Sequence, residues 1–336
     1  MKKVFLFILL LSLGCSSSKL LDGHHSEKEI LKSVSFVLES LQNQGFSGVI
    51  GKAKNSKIFV PVKINNIPGE LFLDTGATYT FLTYDQIKKF HLKTMDATNK
   101  RENIITWFGS ISDHKRALAN RFQIGNHIFS PWPFIVSSEN KMPVIGTDFL
   151  HFTNAVIICK YSTMLFNVNH KKAVGLSDSL KKFGYTEFDL LMSESGSISK
   201  LSYRDENGAH SLNFGTFLIK GNFNGIEGIL LIDTGAHYTS VDYELARMTG
   251  RKIRKQNKIY FIDAIGNIEY PSVIFADSLK VGDYFLSKKR FFPIFEDINK
   301  NDNSYSLPYL GAIGMDYLAR NNAIIDFGNR KLYLIR

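Results

Sequence analysis

One stretch of this chain occurs twice, and that repeat limits what it can fold into more than any other feature. Moving the sequence along itself by 159 residues lays Ile67-x-Gly69-x-Leu71 on Ile226-x-Gly228-x-Leu230 without a gap. In the same register Asp74-Thr75-Gly76-Ala77 falls on Asp233-Thr234-Gly235-Ala236, Tyr79-Thr80 on Tyr238-Thr239, and Tyr84 on Tyr243. A second block repeats at a shift of 168: Ile145-Gly146-x-Asp148 on Ile313-Gly314-x-Asp316, Leu150 on Leu318, Asn154-Ala155 on Asn322-Ala323. The extra residues fall between the blocks, where loops absorb insertions at small cost. The 336 residues correspond to about two domains by length, and the repeat makes them one unit built twice.

Each copy opens with a strand pattern, a turn (Asn65-Asn66 or Asn224-Gly225) and a second strand, Glu70 to Leu73 or Ile229 to Ile232, that delivers an aspartate into a loop. From Ile58 onward short strand-like runs alternate with Asn, Gly and Pro, and 13% of the chain is aromatic, which favours strands. An all-β fold is expected. One interruption, about Asn169 to His210, reads as a connection between the copies, with a short helix at Leu176 to Phe183. Ahead of the first copy, His25 to Gly45 reads as an amphipathic helix: Ser26 and Glu29 form a capping box, and Ile30, Leu31, Val34, Leu38 and Leu41 recur at helical spacing. It packs against the body of the protein or serves as a removable inhibitory pro-segment.

Met1-Lys2-Lys3 followed by the apolar run Val4 to Leu13 is a targeting segment, too short to span a bilayer. Gly14-Cys15 before Ser16-Ser17-Ser18 resembles a bacterial lipoprotein signal, although Ser12 stands where that family usually has leucine. The resemblance implies an exported, membrane-anchored protein of the bacterial cell envelope, lipidated at Cys15, the alternative being cleavage as an ordinary secreted protein. With two cysteines in all, a disulfide framework or a Cys-rich zinc site is excluded, and Cys159 is expected to be a buried thiol. The net charge of +10 is spread along the chain. Its longest run, Lys288-Lys289-Arg290, reads as solvated surface, so no nucleic-acid partner is expected.

A hydrophobic strand ending in Asp-Thr-Gly-Ala, present twice and followed in each copy by Ile-Gly after apolar residues, resembles the aspartic proteases, specifically their retropepsin-like branch. The resemblance spans about Ile58 to Phe166 and Thr216 to Arg336. It implies two related barrels with a cleft between them, each supplying one catalytic aspartate, Asp74 and Asp233. It also implies Thr75 and Thr234 hydrogen-bonded across a pseudo-twofold, Gly76 and Gly235 in tight turns, and Gly146 and Gly314 packed beneath the loops. Both copies lie in one chain, so a monomer suffices. The expected division is a signal peptide at 1–14, a lipidated leader and helix at 15–47, a first lobe at 48–168, a connector at 169–210 and a second lobe at 211–336.

Two carboxylates about 3 Å apart cannot both ionise comfortably and share a proton, the arrangement that lets one activate water while the other donates to the carbonyl oxygen. Ala77 and Ala236 stand where pepsin-like enzymes place a hydroxyl that stabilises the carboxylate, so activity is expected at mildly acidic to neutral pH. Thr78 and His237 occupy the position of a substrate-binding aspartate in the retroviral enzymes, which makes the two sides of the cleft inequivalent. Flap candidates are Trp107-Phe108-Gly109 and Ala264-Ile265-Gly266. The histidines show no metal-ligand spacing and no phosphate loop precedes a helix, so no cofactor or metal is expected. The reading is an exported aspartic endopeptidase acting on protein or peptide. The alternatives are a non-catalytic binding lipoprotein on the same scaffold, and a protease that processes only itself.

Overall fold

The computed structural model describes residues 25–54, 57–96, 104–106, 109–111, 114–137, 141–193, 199–205, 208–262, 268–295 and 307–336. Strands dominate, as the sequence led us to expect, with a long helix near the N-terminus.

The same strand plan appears in both copies. Lys57–Ile64 and Phe217–Phe223 each pair antiparallel with the strand that ends at the aspartate, Ile67–Leu73 and Ile226–Ile232. The connecting turns hold Asn65 and Asn66 at φ 49° and 68°, and Asn224 and Gly225 at φ 51° and 91°. Left-handed values at both central residues match the twist of a two-residue hairpin, which is why Asn and Gly stand there. The Ile-Gly block then returns beside the aspartate strand: Val144-Ile145 runs parallel to Phe72-Leu73, and Ala312-Ile313 parallel to Leu231-Ile232. Each is flanked on its other side by the strand that follows the Asp-Thr-Gly-Ala loop, at Phe81 or at Ser240-Val241. The first copy builds a ten-stranded sheet and the second an eight-stranded one.

A six-stranded antiparallel sheet joins the copies, in the order Ser47–Ile50, Thr163–Phe166, Val156–Ile158, Ile324–Asp326, Lys331–Leu334, Thr186–Asp189. Its central strands are apolar on both faces because both are covered. Ile157, Met164, Phe166, Ile325 and Leu332 face the main core, while Val156, Ile158, Leu165, Ile324 and Tyr333 face the helix Glu27–Asn43. Ser26 and Glu29 form the capping box read from the sequence, and Gly45 at φ 85° ends the helix, the Phe46 N–H reaching back to the Leu41 carbonyl at 2.9 Å. Ile30, Val34, Val37, Leu38 and Leu41 are buried, each worth about 1.5–3 kcal/mol. Of the two roles considered for this helix, the structure supports packing: its apolar partners lie in the six-stranded sheet and in the short helix Leu176–Lys182 with its flanks, and none in the Asp-Thr-Gly-Ala loops.

The segment read as a connection is more structured than expected. Besides the helix at Leu176–Lys182 it supplies Thr186–Asp189 to the six-stranded sheet and the strand Ser199–Asp205, which pairs with Gly208–Phe214 across the expected boundary at 210. Cys159 is buried, and burial pushes its thiol up to about 12, which makes it inert. Cys15 lies outside the described residues.

Candidate active site

The two Asp-Thr-Gly-Ala loops meet face to face, and their threonines lock them together. The Thr75 N–H donates to Thr234 Oγ1 at 3.1 Å, and the Thr234 N–H to Thr75 Oγ1 at 2.9 Å. Each hydroxyl then donates across the interface, Thr75 to the Ile232 carbonyl at 2.7 Å and Thr234 to the Leu73 carbonyl at 2.9 Å. Both threonines are fully buried, so the ring is shielded from competing water.

This brace brings Asp74 and Asp233 together, and their carboxyls hydrogen-bond to each other. Each also accepts from its own loop: the Gly76 N–H reaches Asp74 Oδ1 at 2.9 Å, and the Gly235 and Ala236 N–H groups reach Asp233 Oδ1 at 2.7 and 3.1 Å. Glycine is required by closeness. A Cβ at Gly76 would lie 2.8 Å from the Asp233 carboxyl carbon, and one at Gly235 would lie 2.5 Å from that of Asp74. The expected placement of Gly146 and Gly314 is met, since the Tyr79 carbonyl and the Tyr238 backbone pass directly over them.

Burial pushes both carboxyls above the ordinary range, Asp233 well above it, because the charge of Asp74 adds to burial there. On Asp74 burial is opposed by the Gly76 N–H, by the hydrogen bond from Asp233 and by the ammonium of Lys57. One proton on Asp233, donated toward an ionised Asp74, fits these directions.

A second layer went unassigned in the sequence reading. The Thr80 N–H and hydroxyl donate to Asp148 Oδ2 and Oδ1 at 2.9 and 2.6 Å, while Thr80 Oγ1 accepts the Gly146 N–H at 3.1 Å. In the other copy the Thr239 N–H and hydroxyl donate to Asp316 Oδ1 at 2.7 and 2.8 Å, and Thr239 Oγ1 accepts the Gly314 N–H at 2.9 Å. These carboxylates tie the end of each Asp-Thr-Gly-Ala loop to the Ile-Gly block beneath it. Their signal was in the repeat itself, which aligns Thr80 with Thr239 and Asp148 with Asp316. Burial raises both, Asp148 to about 6. Arg290, read as solvated surface, keeps a side chain 41% exposed and also reaches this layer: its Nη2 lies 3.7 Å from Asp316 Oδ2 and its Nη1 donates to the Tyr317 hydroxyl at 3.2 Å.

Thr78 and His237 end the two loops. Their carbonyls accept the N–H groups of Asp148 and Asp316 at 3.0 and 3.1 Å, and the His237 ring sits edge-on to Tyr238 at 4.2 Å. Ala77 joins a small apolar cluster with Phe59, Phe72, Tyr79, Phe81, Ile135, Met142 and Val144. For the flaps, Ile104–Thr106 pairs with Gly109–Ile111, so Gly109 opens the returning strand, and Phe261–Ile262 pairs with Ile268–Glu269. Trp107, Phe108, Ile265 and Gly266 lie outside the described residues. The second hairpin is rooted by Phe261, 4.3 Å from Phe295 and 5.7 Å from Tyr238, which sets its base beside the active-site loop.

No curated protein matches this chain. Among solved structures, the aspartic proteinase from Irpex lacteus is 12% identical over 86% of this chain and 97% of its own, with a TM-score of 0.46. The retropepsin-like aspartic protease from Rickettsia conorii is 16% identical over 36% of this chain and 90% of its own, with a TM-score of 0.28. Residues 60–151, which hold Asp74, Thr80, Gly146 and Asp148, match the family described as "gag-polyprotein putative aspartyl protease", so the first copy of the repeat is similar to aspartyl proteases.

Proposed function

We propose that this chain is an aspartic endopeptidase whose reacting groups are Asp74 and Asp233. One observation carries the reading: two identical loops, braced by Thr75 and Thr234, bring the half-buried Asp74 and the buried Asp233 into mutual hydrogen bonding. Ionised Asp74 takes a proton from a water held between the carboxyls as its oxygen bonds to the peptide carbonyl carbon, and Asp233 gives its proton to the carbonyl oxygen. A neutral tetrahedral diol results. Asp74, now protonated, passes its proton to the peptide nitrogen, Asp233 takes one back from a hydroxyl, and the C–N bond breaks to leave an acid and an amine. No covalent intermediate forms. In this reading each copy is one lobe, the strand pairs Ile104–Thr106 with Gly109–Ile111 and Phe261–Ile262 with Ile268–Glu269 flank an extended peptide, and Thr78 and His237 border it on either side. The N-terminal leader supports export and lipid anchoring at Cys15, with the body at the surface of an envelope membrane.

The test is cleavage of a peptide library by the purified protein, with and without pepstatin, beside Asp74→Asn and Asp233→Asn. Both substitutions are expected to abolish cleavage. Turnover surviving either one overturns the dyad, and folded protein that cleaves nothing across a broad pH range points to a binding scaffold.

A further inference from the structure

The two aspartates sit in identical loops, but the strands beside them set different residues against them. In the first copy the antiparallel ladder pairs Phe59 with Phe72. Continued by two residues, this register sets Lys57, where its strand begins, across from Asp74. In the second copy Leu218 pairs with Leu231, and the same continuation sets Thr216 across from Asp233. Lys57 and Thr216 are also each other's counterparts at the repeat distance of 159. Residues directly opposed on antiparallel strands hold their Cβ atoms about 5 Å apart on one face of the sheet, within reach of a lysine.

Lys57 is half-buried. Its Nζ lies 4.9 Å from the centre of the Phe72 ring and 4.0 Å from Met142 Sδ, both in the apolar cluster that includes Ala77. Among the described residues no carboxylate forms a close ion pair with it, and the acidic groups whose field it feels are Asp74 and Asp233. The backbone donors do not choose between the two, because Asp74 is served by the N–H groups of Gly76 and Ala77 as Asp233 is by those of Gly235 and Ala236. The other ionisable groups near the loops, His237 and Arg290, act on Asp316, while Asp148 is held by Thr80.

We propose that Lys57 gives the pair its polarity, its ammonium holding Asp74 as the carboxylate and leaving the shared proton on Asp233. Lys57 is then a positioning residue: it decides which lobe supplies the base and which the acid in a site whose loops are otherwise twofold alike. This rests on the reading of Asp74 and Asp233 as a proton-sharing dyad.

The test is carboxyl NMR titration of the full-length protein in detergent, with aspartate labelled at Cγ, alongside the pH profile of kcat/KM. Asp74→Asn and Asp233→Asn assign the two signals. In the unmodified protein two separated steps are expected, the lower seen at Asp74. Lys57→Met, which keeps the stem against Phe72, is expected to raise the lower step and the acid limb of kcat/KM by about one pH unit, and Lys57→Arg to restore both. Thr216→Lys, which puts a cation opposite Asp233, is expected to lower the upper step. A lower step unmoved in folded Lys57→Met overturns the proposal and leaves the dyad standing. Should Lys57→Met fail to fold, an unmoved upper step in Thr216→Lys overturns it equally. Two independent titrations at ordinary carboxylate values in the unmodified protein overturn the dyad reading, and the proposal with it.

Discussion

Thr75 and Thr234 each accept the other's backbone N–H, at 2.9 and 3.1 Å, and each hands its own proton to a carbonyl of the opposite copy. The ring has no slack, because removing one hydroxyl strands both an N–H and a carbonyl of the opposite copy. Thr75→Val, nearly the same shape, is expected to cost about 2–4 kcal/mol, read as a shift in the urea midpoint. Thr75→Ser keeps the hydroxyl and is expected to cost less than about 1 kcal/mol beyond the lost methyl contact.

Gly235→Ala is expected to impair activity more than stability, because its new methyl presses on the Asp74 carboxyl rather than on the core. With the Cβ 2.5 Å from the carboxyl carbon, against 2.8 Å for Gly76→Ala, the carboxyls must separate. Overpacking of this kind costs about 1–3 kcal/mol. Turnover is expected to fall at least about 100-fold in Gly235→Ala, with a smaller loss in Gly76→Ala. Comparing kcat with the thermal midpoint of each variant checks this.

Activity is expected to reach toward neutral pH. The working state needs the proton on Asp233, whose carboxyl is held well above the ordinary range, so that proton is lost only as the pH rises far past ordinary carboxylate values. Protonation of Asp74 sets the acid limb. Neither Ala77 nor Ala236 offers a hydroxyl, so Ala236→Ser is expected to supply a donor to the Asp233 carboxylate and pull the alkaline limb down by about one pH unit. The pH profile of kcat/KM reads it, and activity confined below about pH 3 in the unmodified protein would show the reasoning wrong.

Two buried groups in the first copy set opposing slopes of stability with pH. Asp148 titrates at about 6 against an ordinary 3.8, so between those values the folded chain holds more protons than the unfolded chain, and stability falls as pH rises. Asp316, also raised, adds in the same sense. His151 lies edge-on to Phe217 and Phe327, and its Nε2–H donates to the Gly215 carbonyl at 2.9 Å. Burial pushes it from 6.5 down to about 4, so there the unfolded chain holds more protons, and stability falls as pH drops. Each shift is on the order of 3 kcal/mol, and the two largely cancel. His151→Gln, which keeps a donor toward Gly215, is expected to make the protein more stable relative to the parent at pH 4.5 than at pH 7. Urea unfolding at the two pH values measures the difference.

The N-terminal helix is expected to be permanent. Removing residues 25–45 would uncover Val156, Ile158, Leu165, Ile324 and Tyr333 on the outer face of the six-stranded sheet, and an exposed apolar sheet face invites association. The shortened protein is expected to aggregate rather than gain activity. Val37→Asp, which places a carboxylate in the same interface, is expected to cost about 3–5 kcal/mol, whereas activation on trimming would restore the inhibitory reading.

Much of the site was readable because a duplicated sequence checks itself. One Asp-Thr-Gly is weak evidence, but two in register at 159 residues mark the loops, the aspartates and the glycines beneath them. The helix was equally plain, since a capping box and a 3.6-residue period are local properties. Lys57 and the Thr80–Asp148 tie were less visible. A lysine at the start of a strand looks like any surface lysine until the strand register sets it against Asp74, and Asp148 looks like a helix-start aspartate until Thr80 reaches it from 68 residues away. The basic run of Arg290 lies at the surface as read, but the reach of Arg290 to Asp316 was hidden for the same reason: the path that joins them is not local. The sequence by itself determined that there are two equivalent aspartates, because repetition is a property of order along the chain. Which of them carries the charge was decided only by the tertiary structure, because it depends on what stands across the sheet from each.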